Sequence, residues 1–232
     1  VGERRWGLGD VAAGFVLGLV GSQVALGIIL GATHRTSDQV DELPLSLVSV
    51  AQLGLWAGLL GVPLLATRLK GNGVIADLDL RARWRDVWTG GSVGVVLQLF
   101  ALPLLYWPIL RLLDKHPSDL GGPARDLTDR ATGHLGVVLL VLIVGVGAPI
   151  IEEIFYRGLC QRALQKRGVS PTVAIWVTAV LFGLSHFEAL QLPALVLFGA
   201  AAGYLAERAG RLGPAIAAHV AFNMVTVIAL LS

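Results

Sequence analysis

Charge is scarce in this chain. Only 15% of its 232 residues are Asp, Glu, Lys or Arg, against 55% hydrophobic ones, whereas a soluble domain carries about 25% charge and 45–50% apolar residues. The mean hydropathy of +0.72 belongs instead to a polytopic membrane protein. Cysteine is reduced to one residue, Cys160, which excludes an internal disulfide and leaves the redox compartment open. Aromatics make up 7% and do not alternate with basic residues. No compact basic domain exists, so nucleic acid is not an expected partner, and the net charge of +2 reads as membrane topology. Internal repeats, heptad runs and phosphate-cradling glycine loops are also lacking. The first apolar stretch, 11–32, is too long for the apolar core of a signal peptide, so none is expected.

What the chain does have is long hydrophobic runs. They predict an all-α, polytopic transmembrane helix bundle forming a single domain over 1–232. Spans are expected at about 11–32, 45–67, 87–110, 135–163, 172–187, 192–206 and 213–231, seven in all, with six to eight compatible with the length. The fifth and sixth are short, as befits buried helices that line an interior. An eighth span would need a break at Gly145-Val146-Gly147-Ala148-Pro149; a kink is cheaper, because neighbours in a membrane bundle can satisfy the carbonyl that proline frees. The 29 glycines suit close helix approach.

Basic residues set the orientation. One set of connections holds Arg4, Arg5, Arg68, Lys70, Arg81, Arg83, Arg85, Arg162, Lys166, Arg167, Arg208 and Arg211; the other holds Arg35, Arg111, Lys115, Arg125 and Arg130. The larger set belongs inside, which puts the N-terminus in the cytoplasm and the C-terminus outside. The connection 69–88 fits either a short interfacial helix or a solvated loop. The segment 111–133 reads as a polar outer loop, with His116 and His134 as surface residues.

Arg157, the remaining basic residue, lies within the fourth span, in the stretch PIIEEIFYRG at 149–158. Three polar groupings break the apolar pattern of the second half, and together they define a catalytic core over 135–231. In the first, Glu153 and Arg157 stand four apart on one helix face and can pair, while Glu152 is rotated by about 100° and left free of that pair. The second is FGLSHF, with Phe182 and His186 four apart. The third is HVAFN, with His219 and Asn223 on one face of the last span. Helix rise puts Glu152 roughly 15 Å, His186 roughly 21 Å and His219 roughly 10 Å from the basic end, depths compatible with one water-accessible cavity. Ionisable residues at such depth face the bundle interior and mark function, although a Glu–Arg pair can also simply pin a helix, and histidine or asparagine can join neighbouring helices. The chemistry these groups allow is hydrolysis. A carboxylate beside an imidazole takes a proton from water, and a second imidazole with an amide N–H donates to the oxyanion formed at a peptide carbonyl. A serine or cysteine route is weaker, since Ser185 adjoins His186 on the same helix and Cys160 has no histidine–carboxylate pair at its depth.

EExxxR at 152–157, FxxxH at 182–186 and HxxxN at 219–223 resemble, in order and spacing, the CAAX-protease and bacteriocin-processing family of intramembrane glutamic endopeptidases. The resemblance covers about 145–227. It implies that Glu152 is the general base assisted by His186, that Glu153 and Arg157 shape the site, that His219 and Asn223 hold the oxyanion, and that Phe182 packs beside His186. Glu152, His186 and His219 could supply zinc ligands, yet HExxH is absent and the pattern resembles the metal-independent members, which implies no cofactor. The implied substrate is a membrane-associated protein or peptide, in which prenylation need not be recognised. The Gly- and Ala-rich, arginine-over-lysine composition points to a bacterial plasma membrane. Two other readings stay open: a non-catalytic scaffold or regulator of the same fold, and a proton-coupled transporter, which would spread its buried charges over both halves.

Overall fold

The computed structural model describes residues 5–232, apart from the Pro123 side chain; Arg4, counted above among the inner basic residues, lies outside them. Backbone polar groups in hydrocarbon must be satisfied within their own segment, which makes helices of the apolar runs. In chain order these are α1 Leu8–Thr33, α2 Leu45–Lys70, α3 Val74–Leu78, α4 Trp84–Leu113, α5 Pro117–Leu120, α6 Gly122–Asp129, α7 Gly133–Lys166, α8 Pro171–Leu184, α9 Leu192–Ala209 and α10 Gly213–Leu231. A 3-10 turn, Ser37–Glu42, links α1 to α2. The protein is thus an all-α helical bundle over the described residues, and among these residues five helices (α1, α2, α4, α7 and α10) are long and apolar enough to cross a membrane. The helices at the fifth and sixth expected segments are the shorter ones, 14 residues in α8 and 18 in α9.

α1 packs along α2, α10 along α4 and α8 along α9. Glycine permits the first two approaches. A Cβ on Gly58 would stand 2.1 Å from the Gly18 backbone nitrogen, and one on Gly94 would stand 2.1 Å from Ala218 O. Both are far inside van der Waals contact, so each pair of backbones meets with nothing between. The Gly94 contact seats α10 one residue before His219.

Of the two expectations for the connection 69–88, a short helix is present, and it is packed into the protein. This is the five-residue α3, whose Asp77 and Leu78 are buried. Asp77 Oδ2 accepts from Trp6 Nε1 at 3.0 Å and from Asn72 N at 2.7 Å. Trp6 is itself buried, with the Lys166 ammonium 4.0 Å from its ring centroid. Asp79 pairs with Arg162 at 2.7 Å and Asp86 with Arg211 at 2.5 Å, so much of the basic end is knitted into ion pairs. At the other end, 111–133 folds into the last turn of α4 and the short α5 and α6. His116 N donates to Asp119 Oδ2 at the start of α5, and Arg130 reaches Val40 O and Asp41, tying this segment to the 3-10 turn.

α7 runs through Pro149 without a break, and it does so by changing register. Val141–Gly147 is π-helical, and the Ala148 N–H donates five residues back, to Ile143 O. One step further in that register, residue 149 would donate to Val144 O. Proline has no N–H to give. A second π-helical segment, Ile154–Gln161, is buried throughout. The glutamates therefore sit on a short α-helical piece, Ala148–Glu153, between two widened turns, a feature often found at functional sites.

Candidate active site

Glu153 and Arg157 form the expected i,i+4 pair. Arg157 Nη1 donates to Glu153 Oε1 at 2.8 Å, and both side chains are fully buried. Arg157 Nη2 donates to Gly199 O on α9 at 2.9 Å, and its guanidinium carbon lies 4.8 Å from the Phe182 ring centroid. The pair thus ties α7 to α8 and α9.

Glu153 Oε1 has a second donor that the sequence spacing did not show. His219 Nδ1 stands 2.8 Å away. Toward a carboxylate that nitrogen must carry the ring proton. The opposite nitrogen, His219 Nε2, lies 3.8 Å from Glu152 Oε2, and Glu152 keeps 16% of its side chain accessible while Glu153 keeps none. At that separation, beyond a direct hydrogen bond, a water molecule is the natural bridge. The two adjacent glutamates therefore face one imidazole from opposite sides, one sealed and one open.

His186 is placed differently from the helical expectation. α8 ends at Leu184, and His186 lies in the turn that follows. Two side chains end the helix by taking one carbonyl: Ser185 Oγ donates to Phe182 O at 2.7 Å, and His186 Nδ1 lies 2.7 Å from the same oxygen. A carbonyl only accepts, so His186 carries its proton on Nδ1 and leaves Nε2 as the acceptor. Among the described residues no hydrogen bond joins His186 to either glutamate. Phe182 connects the groups instead, with its ring edge-on to His186 at 4.7 Å and to His219 at 5.7 Å between centroids.

Asn223 sits one turn beyond His219 and donates through Nδ2 to Val144 O at 2.9 Å. That oxygen is the one left without its intrahelical donor by Pro149. A neighbouring helix thus satisfies the carbonyl that proline frees, as the sequence led us to expect, and the residue that does so is one of the motif residues.

Sequence reasoning did not single out three further side chains at the site. Tyr156 donates its hydroxyl to Ser185 Oγ at 2.6 Å and packs edge-on against Phe182 at 5.2 Å. Phe198 covers His219 at 4.6 Å between centroids, and Phe222 packs on Phe198 at 4.6 Å. Only their apolar character was visible, and that is shared with most of the chain. Ser185 is engaged by Tyr156 and Phe182 O, and Cys160 is buried in the π-helical segment of α7. Among the described residues no group of three or more His, Cys, Asp or Glu side chains is arranged to hold a metal ion, so Glu152, His186 and His219 do not converge as a ligand set.

Chemically, the arrangement offers an accessible carboxylate, an imidazole whose second nitrogen faces it, and a second imidazole with a free acceptor nitrogen across an aromatic ring. No curated protein and no solved structure matches the chain significantly. One family does: residues 134–225 match the family described as "Rce1-like: Type II CAAX prenyl endopeptidase Rce1-like". The matched stretch, less than half of the chain, holds every residue of the three motifs, and the protein accordingly carries a CAAX-protease (Rce1-like) family domain over that part of its length.

Proposed function

We propose that the protein is an intramembrane, glutamate-dependent endopeptidase that cleaves a peptide bond in a membrane-associated protein or peptide. Glu152 takes a proton from the attacking water while His186 Nε2 accepts a hydrogen bond from its other hydrogen. As the tetrahedral intermediate collapses and the C–N bond breaks, Glu152 returns that proton to the leaving amine. His219 is held by its Nδ1–H on Glu153; as the imidazolium it presents Nε2–H to the oxyanion, beside the second amide hydrogen of Asn223. Glu153, Arg157 and Phe182 position these groups. The observation that carries the reading is the placement of His219 between a sealed glutamate and an accessible one. A pair that only pinned helices would leave no second carboxylate on the open side of the ring.

With this reading go seven spans, α8 and α9 crossing as short helices within the bundle, a catalytic core over 135–231, the N-terminus in the cytoplasm, and a bacterial plasma membrane as the location. The deciding experiment uses purified protein in liposomes with membrane-anchored peptide substrates. Glu152→Ala is expected to abolish cleavage while leaving the helical content and unfolding temperature unchanged. Cleavage by that variant at the unsubstituted rate would overturn the general-base assignment. Absence of cleavage by the unsubstituted protein across a proteome-derived substrate set would favour a non-catalytic scaffold.

A further inference from the structure

A cavity of about 620 Å³ lies apart from the glutamates, between α4, α5, α6, α9 and α10. Its size is within the roughly 300–1,000 Å³ typical of small-molecule sites. Leu102, Tyr106 and Leu110 form one wall, and Leu195 and Phe222 the other.

Polar side chains on the lining divide into two kinds. Tyr106, Gln191, Thr226 and the amide nitrogen of Gln98 are engaged within the protein, whereas Gln98 Oε1 is buried without a hydrogen-bond partner among the described residues. Gln98 Nε2 donates to Thr226 Oγ1 at 2.9 Å, the Tyr106 hydroxyl to Leu190 O at 2.7 Å, and Gln191 Nε2 to Leu120 O at 3.0 Å. Arg111 and Lys115 are exposed, and neither forms an ion pair with the described residues; the Arg111 guanidinium lies over the Trp107 ring at 4.1 Å. No aspartate or glutamate lines the cavity. It is therefore mainly apolar along its length, with the Gln98 amide oxygen as a single unpartnered acceptor, and cationic at one end.

The position of that end fixes the depth. Arg111 and Trp107 occupy the last turns of α4, a helix long and apolar enough to cross the bilayer, and Lys115 follows just beyond. Tryptophan and basic residues at the end of such a helix lie at headgroup level. A soluble anion would leave the apolar length unused, and a zwitterionic lipid would leave two cations without net countercharge.

We propose that this recess binds one phospholipid with a net negative headgroup, its phosphate held by Arg111 and Lys115 and one acyl chain lying between α4, α9 and α10. Phe222 forms the inner wall, and its contact with Phe198 places the chain two aromatic rings from His219. The site is independent of the peptidase reading, because its signature is binding and not hydrolysis.

The test uses full-length protein in uncharged detergent, incubated with equal amounts of phosphatidylglycerol and phosphatidylcholine of identical chains, with retained lipid counted by native mass spectrometry. The unsubstituted protein is expected to retain one phosphatidylglycerol in preference. Arg111→Gln with Lys115→Gln, both at exposed positions, should lower that preference roughly thirtyfold, since each basic side chain at an anionic surface contributes about 1 kcal/mol. Ala124→Leu, which fills part of the recess, should reduce retention of both lipids. Equal retention of the two lipids by the unsubstituted protein would overturn the proposal in favour of an uncharged occupant, such as a helix of a second copy. A preference that survives the double substitution, or retention unaffected by Ala124→Leu, would place the lipid elsewhere and overturn it equally.

Discussion

His219 Nδ1 lies 2.8 Å from Glu153 Oε1, and that single bond sets which way the ring can act. With its proton committed to the buried glutamate, the imidazole can exchange a proton only at Nε2, the nitrogen that faces Glu152 at 3.8 Å. The adjacent glutamates of PIIEEIFYRG thereby acquire unlike tasks. Glu153 answers to Arg157 and His219 in a sealed environment, whereas Glu152 keeps part of its side chain accessible.

This division has a thermodynamic signature. Removing Glu153 strands the guanidinium of Arg157, whose side chain is fully buried, and breaking one partner of a buried ion pair costs about 3–5 kcal/mol. Glu153→Ala is expected to lose stability on that scale, measured by reversible unfolding in mixed micelles. Glu152→Ala should change stability by less than about 1 kcal/mol, in keeping with a partly accessible side chain, while eliminating hydrolysis. Equal destabilisation by the two substitutions would show that both carboxylates serve the fold.

Asn223 and Pro149 should be coupled although they lie on different helices. Asn223→Ala leaves Val144 O without a donor, at a cost of about 1–3 kcal/mol for a buried unsatisfied group. Pro149→Ala restores an N–H that can reach the same oxygen. In a double-mutant cycle, the Pro149→Ala background is expected to recover about 0.5–2 kcal/mol of the loss. Cleavage need not recover with it if the other Asn223 amide hydrogen meets the oxyanion. A coupling energy of zero would mean that Val144 O does not depend on Asn223.

Much of this site was legible in the sequence because its signal is rarity. Charged residues are so few in the second half that Glu152, Glu153, Arg157 and the two histidines stand out, and i,i+4 spacing sufficed to pair Glu153 with Arg157. The apolar runs likewise marked every long helix. Contacts between helices could not be read in the same way. The His219–Glu153 bond joins residues 66 positions apart, and nothing in either motif says which imidazole nitrogen faces which glutamate. Tyr156, Phe198 and Phe222 were hidden because an aromatic residue in an oily helix carries no periodicity that separates a site wall from a lipid-facing surface. The end of α8 was misplaced for a local reason: FGLSHF continues the apolar pattern, and only the capture of Phe182 O by Ser185 and His186 ends the helix before the histidine. The polar segment 111–133 read as a loop because its short helices have too few apolar residues to show a face.

Metal removal should leave the proposed reaction unchanged. His186 has Nδ1 engaged with Phe182 O, His219 has Nδ1 engaged with Glu153, and the remaining donors do not gather into a ligand group among the described residues. Cleavage rates before and after exhaustive dialysis against a chelator are expected to agree within error. A loss that zinc restores would reassign Glu152, His186 and His219 as ligands.

The seating of α10 offers a way to perturb the site without touching it. A methyl group on Gly94 would stand 2.1 Å from Ala218 O and 3.0 Å from Phe222 N, so α10 must move away from α4. His219 follows Ala218 directly and would be displaced from both glutamates, and misplacing a catalytic group by about 1 Å can lower a rate about 100-fold. Gly94→Ala should therefore lose about 1–3 kcal/mol of stability, the usual cost of overpacking, together with most of the cleavage activity. Gly91 provides the control on the same helix: its added methyl would meet only Ala221 Cβ, at the ordinary distance of 3.9 Å. Gly91→Ala removes as much backbone freedom as Gly94→Ala, yet should leave the rate unchanged and stability equal or slightly higher. Parallel losses in both variants would mean that α4 needs flexible glycine, and that close contact with α10 is not what holds His219 in place.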